Sequence, residues 1–146
     1  MATMMFAITG CGTGSGVSIS VPIDPTGWDT GSMRVVRFQN SDTLMLRDLK
    51  LFVIHDNKIS DYTNELEFGV EMHTPGGKRF NENVKVEIDR SDEKNTMRES
   101  SRTYRTGVIL SDTGEYRIIL KNMSQHPLRG VRAVGIEITE SENGKR

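Results

Sequence analysis

The sequence has few of the residues on which covalent or metal-centred chemistry usually depends. It contains one cysteine, so no disulfide within the chain can stabilise the fold. Aromatic residues make up only 6% of it, with a single tryptophan. Lys and Arg number 19 against 20 Asp and Glu, so the formal net charge of -1 provides no basic field for nucleic acid. The composition therefore excludes a disulfide framework and predicts no nucleic-acid partner.

The sequence also contains no segment in which apolar residues repeat with the period of a helix. Apolar and polar residues alternate instead. In residues 65–73, Leu66, Phe68, Val70 and Met72 alternate with polar residues, which indicates a half-buried strand. Glycine, proline and asparagine clusters separate such segments throughout the chain. The pattern predicts an all-β fold, a two-sheet antiparallel β-sandwich of the Ig-like or jelly-roll-like kind with about seven strands.

The strands are predicted from period-two alternation and turn chemistry. Residues 47–55 are apolar on both faces and should form a central strand, and residues 65–73 should form a hairpin with the strand after Pro75. Residues 89–101 are charged and predicted to be an exposed loop. The further strands are expected at residues 33–38, 84–88, 104–110 and two within 114–138. The predicted core comprises Leu51, Val53, Phe68, Val70, Val86, Tyr116, Ile118, Val134 and Ile136.

The first 23 residues carry no charged side chain, and Ile8-Thr9-Gly10-Cys11 fits a lipobox, where a signal peptide is cut before a cysteine that becomes lipidated. No basic residue precedes the short apolar run, so residues 1–10 are interpreted as a truncated signal peptide. A lipidated Cys11 with a flexible tether should then occupy residues 11–26. The sandwich is expected at 27–140 and a polar tail at 141–146. A disordered N-terminus with an incidental cysteine is the alternative.

Residues that could support catalysis or metal binding are scattered. If residues 47–55 and 65–73 pair as neighbouring strands, His55 and His73 lie at opposite ends, and no serine has a nucleophile-elbow context. The sequence therefore predicts no catalytic residue, no metal site, no cofactor and no enzymatic activity. For the remaining candidates for a catalytic, metal or basic site, a solvated loop or surface position is the favoured interpretation. These candidates are His126, Asp42, Asp48, Asp56, Asp61, Lys94, Arg98, Arg102 and Arg105.

From Trp28 to Ile138 the chain resembles the gliding-motility lipoproteins of the Bacteroidetes, the GldH family. The resemblance depends on Trp28 after a proline-rich segment, on Pro75-Gly76-Gly77-Lys78, and most strongly on residues 114–118, reading GEYRI, with the Leu-Arg-Gly-Val run that begins at Leu128. The sequence departs from the family's pattern in residues 89–101, which lack its Gly- and Trp-bearing segment, and at Ser124, where the family has a basic residue.

The resemblance implies a small, non-enzymatic envelope lipoprotein associated with gliding motility or type IX secretion machinery. Its partners would be envelope proteins and, through Cys11, a membrane, and the lack of an acidic cluster after Cys11 favours the periplasmic side. Asp42-Thr43-Leu44 resembles the short motif at which Bacteroidetes O-glycosylate exported proteins, which makes Thr43 a candidate acceptor. Trp28 is expected to cover an edge of the core, with ligand or partner contact as the alternative. The competing function is a carbohydrate-binding module or small glycan-acting enzyme that uses Trp28, Tyr62 and Tyr104.

Overall fold

A computed structural model describes residues 16–56, 59, 64–88 and 97–141 of the 146-residue chain. The regular elements in this part of the chain are eight β-strands. In chain order they are β1 (Val17–Pro22), β2 (Met33–Asn40), β3 (Leu46–His55), β4 (Glu65–His73), β5 (Arg79–Glu87), β6 (Arg98–Ile109), β7 (Gly114–Asn122) and β8 (Val131–Glu140).

The strands form two four-stranded antiparallel sheets, with the orders β1-β8-β3-β6 and β2-β7-β4-β5. The predicted two-sheet antiparallel sandwich is confirmed. Eight strands divided between two sheets in this interleaved order form a jelly roll. Each sheet has two edge strands, β1 and β6 in the first and β2 and β5 in the second.

The strand β1 corrects the predicted tether. Residues 11–26 were expected to be flexible, yet Val17–Pro22 pairs with β8, with Ile19 opposite Ile136 and Val21 opposite Val134. Ile19 and Val21 are 6% exposed and alternate with exposed serines, a strand period that the surrounding small residues hide in the sequence. The sandwich therefore begins before residue 27. Residues 1–15, with Cys11, lie outside the described residues.

Two further expectations about the strands change. The segment 47–55 is a central strand, as predicted, but its neighbours are β8 and β6, and β4 lies in the other sheet. The strand β6 begins at Arg98, inside the segment predicted to be a loop, because this end of β6 pairs with β3 in the same sheet. Ser100 lies opposite Val53, is buried, and bonds to His55. The hairpin from β4 to β5 is confirmed, and Gly77 adopts a φ of 89° in its turn.

The core lies between the two sheets and contains all nine residues predicted for it. Leu51, Val53, Phe68 and Val86 are among those that are 0 to 1% exposed. Apolar burial at such positions stabilises a domain by roughly 1.5–3 kcal/mol for each large side chain. The polar end of the chain begins with Ser141, whose N–H donates to the carbonyl of Leu46 over 2.8 Å.

On the outer face of the first sheet, Phe52 lies over Gly135, its directly opposed partner in β8. A Cβ atom at Gly135 would overlap both the Phe52 ring and the carbonyl oxygen of Ile19. The ring is 4% exposed, because it covers the space that a side chain would otherwise fill. Glycine at this position therefore allows an aromatic residue of the central strand to be buried on the solvent side of the sheet.

Candidate functional site

The candidate site is a cleft of about 490 Å³ on the side of the sandwich where the edge strands β5 and β6 face each other. These strands belong to different sheets, so no backbone ladder closes this side of the core. The volume lies within the range of about 300–1,000 Å³ that is usual for ligand pockets. The position of the cleft follows from the strand order, since a jelly roll leaves two edges side by side here.

The floor of the cleft is apolar and belongs to the core. Leu49, Val70, Leu110 and Tyr116 line it, and each is 4% exposed or less. At the rim, the large apolar side chains of Phe80 and Ile109 remain 52% exposed. The cleft therefore combines a rigid apolar floor with two apolar side chains that a bound partner could cover.

Side chains of β6 link the two edges above this floor. The Nε atom of Arg105 donates to Oε2 of Glu82 over 2.8 Å, and Nη1 of Arg102 donates to the carbonyl of Lys85 over 3.3 Å. The hydrogen bond with Glu82 raises the pKa of the Arg105 guanidinium above its ordinary value, so the guanidinium stays charged. These contacts hold β5 and β6 together while leaving the cleft open.

Tyr104 forms part of the cleft wall beside this ion pair. Burial raises the pKa of its phenol well above the ordinary value of 10.0, and the Glu82 carboxylate raises this pKa further. The Arg105 guanidinium lowers the pKa, but this effect is the smallest of the three. The phenol is therefore neutral at physiological pH and able to donate a hydrogen bond. Its ring packs partly against the core, so it combines an apolar surface with one polar atom.

Two turns build the end wall of the cleft. Oδ2 of Asp112 accepts a hydrogen bond from the N–H of Gly76 over 3.2 Å, and the N–H of Asp112 donates to the hydroxyl of Tyr116 over 3.0 Å. The amide of Asn40 donates to the carbonyls of Leu110 and Asp112 over 2.8 and 3.0 Å. The backbone around the cleft is thus held by hydrogen bonds that range from exposed, at Gly76, to buried, at Leu110.

Trp28 has a structural role in the core, and ligand contact by its indole is ruled out by burial. The side chain is 1% exposed, its ring stacks on Phe68 with centroids 5.5 Å apart, and its Nε1 donates to the carbonyl of Ser32 over 3.1 Å. Its backbone forms a β-bridge with Leu128. The expected covering of the core is confirmed, and the alternative of ligand or partner contact is corrected.

The three histidines occupy separate environments. His55 is 1% exposed, and its Nε2 lies 2.7 Å from the Ser100 hydroxyl while its Nδ1 lies 3.1 Å from the carbonyl of Asp56. His73 lies on the outer face of the second sheet beside Glu71, at 3.2 Å, and His126 is exposed in the β7–β8 connection. Within the described residues, no three His, Cys, Asp or Glu side chains are grouped closely enough to hold a metal ion.

The aspartates and basic residues weighed from the sequence mostly serve turns and edges. Asp42 accepts hydrogen bonds from the N–H groups of Leu44 and Met45, Asp48 accepts one from Gly107, and Asp56 pairs with Arg132 at 3.3 Å. Arg102 and Arg105 bridge to β5 as described above. Thr43 is partly exposed beside Asp42, so its modification stays a prediction. Tyr62, Asp61 and Lys94 lie outside the described residues, as does Cys11.

No family model matches the chain, and no curated protein matches it. Among solved structures, the chain aligns with part of a family GH115 4-O-methyl-α-glucuronidase with specificity for decorated arabinogalactans. That match has 13% identity and a TM-score of 0.36, and it covers 93% of this chain but 18% of the glucuronidase chain. The described part of the protein contains no helix with the length and apolarity that crossing a membrane requires.

Sequence reasoning did not find the cleft. Its rim residues Phe80 and Ile109 belong to strands of different sheets. Ile109 was predicted only as a strand position, and Phe80 lies before the strand predicted at residues 84–88, which in the structure begins at Arg79. Tyr104 was named for a possible glycan-binding role, and it does line the cleft. The available signal was an aromatic residue, Phe80, in a segment where the neighbouring side chains of β5 are polar.

Proposed function

We propose that the protein is a non-enzymatic, lipid-anchored envelope protein of the GldH-like kind, which binds another envelope protein through the β5–β6 cleft. The observation that carries the binding role is the open apolar cleft with Phe80 and Ile109 half exposed at its rim. Apolar side chains exposed beside a preformed cavity favour association with a partner that covers them.

The occupant that fits is a protein segment that inserts an aromatic or aliphatic side chain into the cleft. The apolar floor would bury such an anchor, while the neutral phenol of Tyr104 and the Arg105–Glu82 pair at the rim would bind the polar backbone around it. Strand addition at this edge is disfavoured, because Arg102 already occupies the Lys85 carbonyl and the edge carries several charged side chains.

The anchoring part of the proposal is supported by the lipobox at Cys11 and by the resemblance of residues 28–138 to the GldH family. Two acyl chains on one cysteine provide stable membrane residence, which a single chain does not. We propose a periplasm-facing position and a link to gliding motility or type IX secretion machinery. Replacement of Cys11 by serine in the full-length precursor should release the protein from membranes, and continued sedimentation after a salt wash would contradict the anchor.

The binding role is tested by isolating the tethered protein from its native envelope after mild crosslinking. The wild type should recover a stoichiometric protein partner, and the double variant Phe80→Ala, Ile109→Ala should lose it. Met33→Ala is the matched control, since Met33 is 54% exposed on the edge strand β2 at the far side of the second sheet. Equal recovery by the double variant would contradict binding through the cleft.

A carbohydrate-binding module or small glycan-acting enzyme is the second candidate. Burial of Trp28 removes one of the aromatics expected to stack on sugars, but Tyr104 and Phe80 both line the cleft and could supply such a surface. A neutral-glycan array separates the two candidates. Glycan binding by the wild type that disappears in Phe80→Ala would favour the second, and an empty array would favour the first.

A further inference from the structure

Basic side chains form a row across the outer face of the second sheet. The strand register places Arg37 opposite Arg117, Arg117 opposite His73, and His73 opposite Arg79. Directly opposed residues of antiparallel strands point to the same face, so these side chains cross all four strands in one line. With strands about 4.8 Å apart, the line is roughly 14 Å long. We call it the basic row.

The row places like charges side by side, which costs stability unless a ligand offsets the repulsion. Within the described residues, acidic partners are present only at two of its positions: Glu115 lies 3.9 Å from Arg37, and Glu71 lies 3.2 Å from His73. Arg117 and Arg79 are exposed and form no ion pair with a described residue. Two arginines of the row are thus available to an anion from outside.

The surroundings of the row favour a narrow, linear anion. The same face carries carboxylates on both sides of the row. Glu71 lies next to His73 on this face of β4, and Glu115 lies next to Arg117 on this face of β7. A flat anionic membrane would meet these carboxylates together with the arginines and gain little net attraction. None of the described aromatic residues belongs to the row, so stacking of nucleic-acid bases has no platform there.

An extended acidic peptide also fits the row poorly. Its side chains reach one face only at every second residue, a spacing of about 6.8 Å that does not match neighbouring strands about 4.8 Å apart. A linear polyuronate carries a carboxylate on each successive sugar, with hydroxyl groups between them. The amide side chains of Gln39 and Asn81, which lie in the positions bordering the row, can bind such hydroxyls.

We propose that the basic row binds a linear acidic polysaccharide of the polyuronate class, laid across the strands of the second sheet. The carboxylates contact Arg37, Arg117 and Arg79 in turn, and His73 lies between Arg117 and Arg79 in the row. This site lies on the open face of the sheet and uses none of the residues that line the β5–β6 cleft. It is therefore independent of the binding role proposed above.

The test measures binding of an oligogalacturonate to the folded domain by calorimetry at low and moderate salt. The wild type should bind it and should not bind a neutral cello-oligosaccharide of the same length. The double variant Arg37→Gln, Arg117→Gln should bind roughly tenfold more weakly. The affinity of this variant should also depend less steeply on salt, because fewer ion pairs form in its complex.

The control Lys85→Gln, Lys121→Gln removes the same charge from the same face outside the row, so its affinity should stay within about twofold of the wild type. The arginine variant should also unfold at the same or a slightly higher temperature, because like charges are removed. Equal losses in both double variants, no binding by the wild type, or equal binding of poly-glutamate or of phosphatidylglycerol vesicles would each overturn the proposal.

Discussion

The Nε atom of Arg105 lies 2.8 Å from Oε2 of Glu82, and this contact joins the edge strands of two different sheets at the mouth of the cleft. The Arg105 side chain is 56% exposed and that of Glu82 is 25% exposed, so water screens the attraction between them. The pair orders the rim of the cleft, while the apolar core beneath it supplies most of the stability.

A double-mutant cycle of Arg105→Gln and Glu82→Gln should therefore give a small coupling. We expect about 0.2–1 kcal/mol in the free energy of unfolding, measured by urea denaturation. A coupling above about 3 kcal/mol would contradict this assignment, since values of that size belong to pairs removed from water.

Phe68 and Phe80 test the division between the core and the rim of the cleft. Phe68 is 0% exposed and stacks on Trp28, so Phe68→Ala should lower the free energy of unfolding by about 3–5 kcal/mol. Phe80 is 52% exposed, and its replacement by alanine should cost under about 1 kcal/mol. Urea unfolding of both variants measures the difference, and similar costs would show that the cleft rim is packed as a core.

The contact of Phe52 with Gly135 gives a further prediction. Gly135→Ala should destabilise the fold by several kcal/mol, because the added methyl group meets the Phe52 ring and the Ile19 carbonyl. Gly27→Ala is the control, since a Cβ atom there meets nothing within 4 Å and the backbone needs no positive φ. Thermal unfolding distinguishes the two, and an unchanged midpoint for Gly135→Ala would contradict the close approach.

The hydrogen bonds of Asp42 predict that the stability of one turn depends on pH. Hydrogen bonds from the N–H groups of Leu44 and Met45 hold the pKa of its carboxyl below the ordinary value of 3.8. Because the folded pKa is depressed, the turn is stabilised above about pH 4, and this contribution is lost as the pH falls through the folded pKa. An NMR titration should show Asp42 protonating below pH 3.8 together with a shift of the Leu44 amide. A titration at or above that value would contradict the turn geometry.

The sequence predicted burial well, because burial in a strand follows from local alternation. Leu66, Phe68 and Val70 alternate with polar residues, and each proved to lie in the core. The first strand was missed because Ile19 and Val21 stand among small residues that favour a flexible interpretation. Burial could therefore be predicted where the alternation was strong and not where the outward residues were serines.

Neighbouring strands could not be predicted in the same way, since pairing depends on contacts between distant parts of the chain. The segments 47–55 and 65–73 follow each other in sequence but lie in opposite sheets. The cleft and the basic row both depend on this arrangement. Phe80 and Ile109 line one cleft, and Arg37 lies opposite Arg117, only after the jelly roll brings their strands together.

Site-specific photocrosslinking tests most directly whether the cleft binds a protein segment. A benzophenone side chain would replace Phe80 in the full-length precursor produced in its native envelope, and the same group at Met33 would serve as the control. Binding in the cleft predicts one discrete protein adduct from position 80 that is absent from position 33 and disappears when Ile109→Asp is added. Adducts of equal yield at both positions, or none at position 80, would contradict the cleft as the binding site.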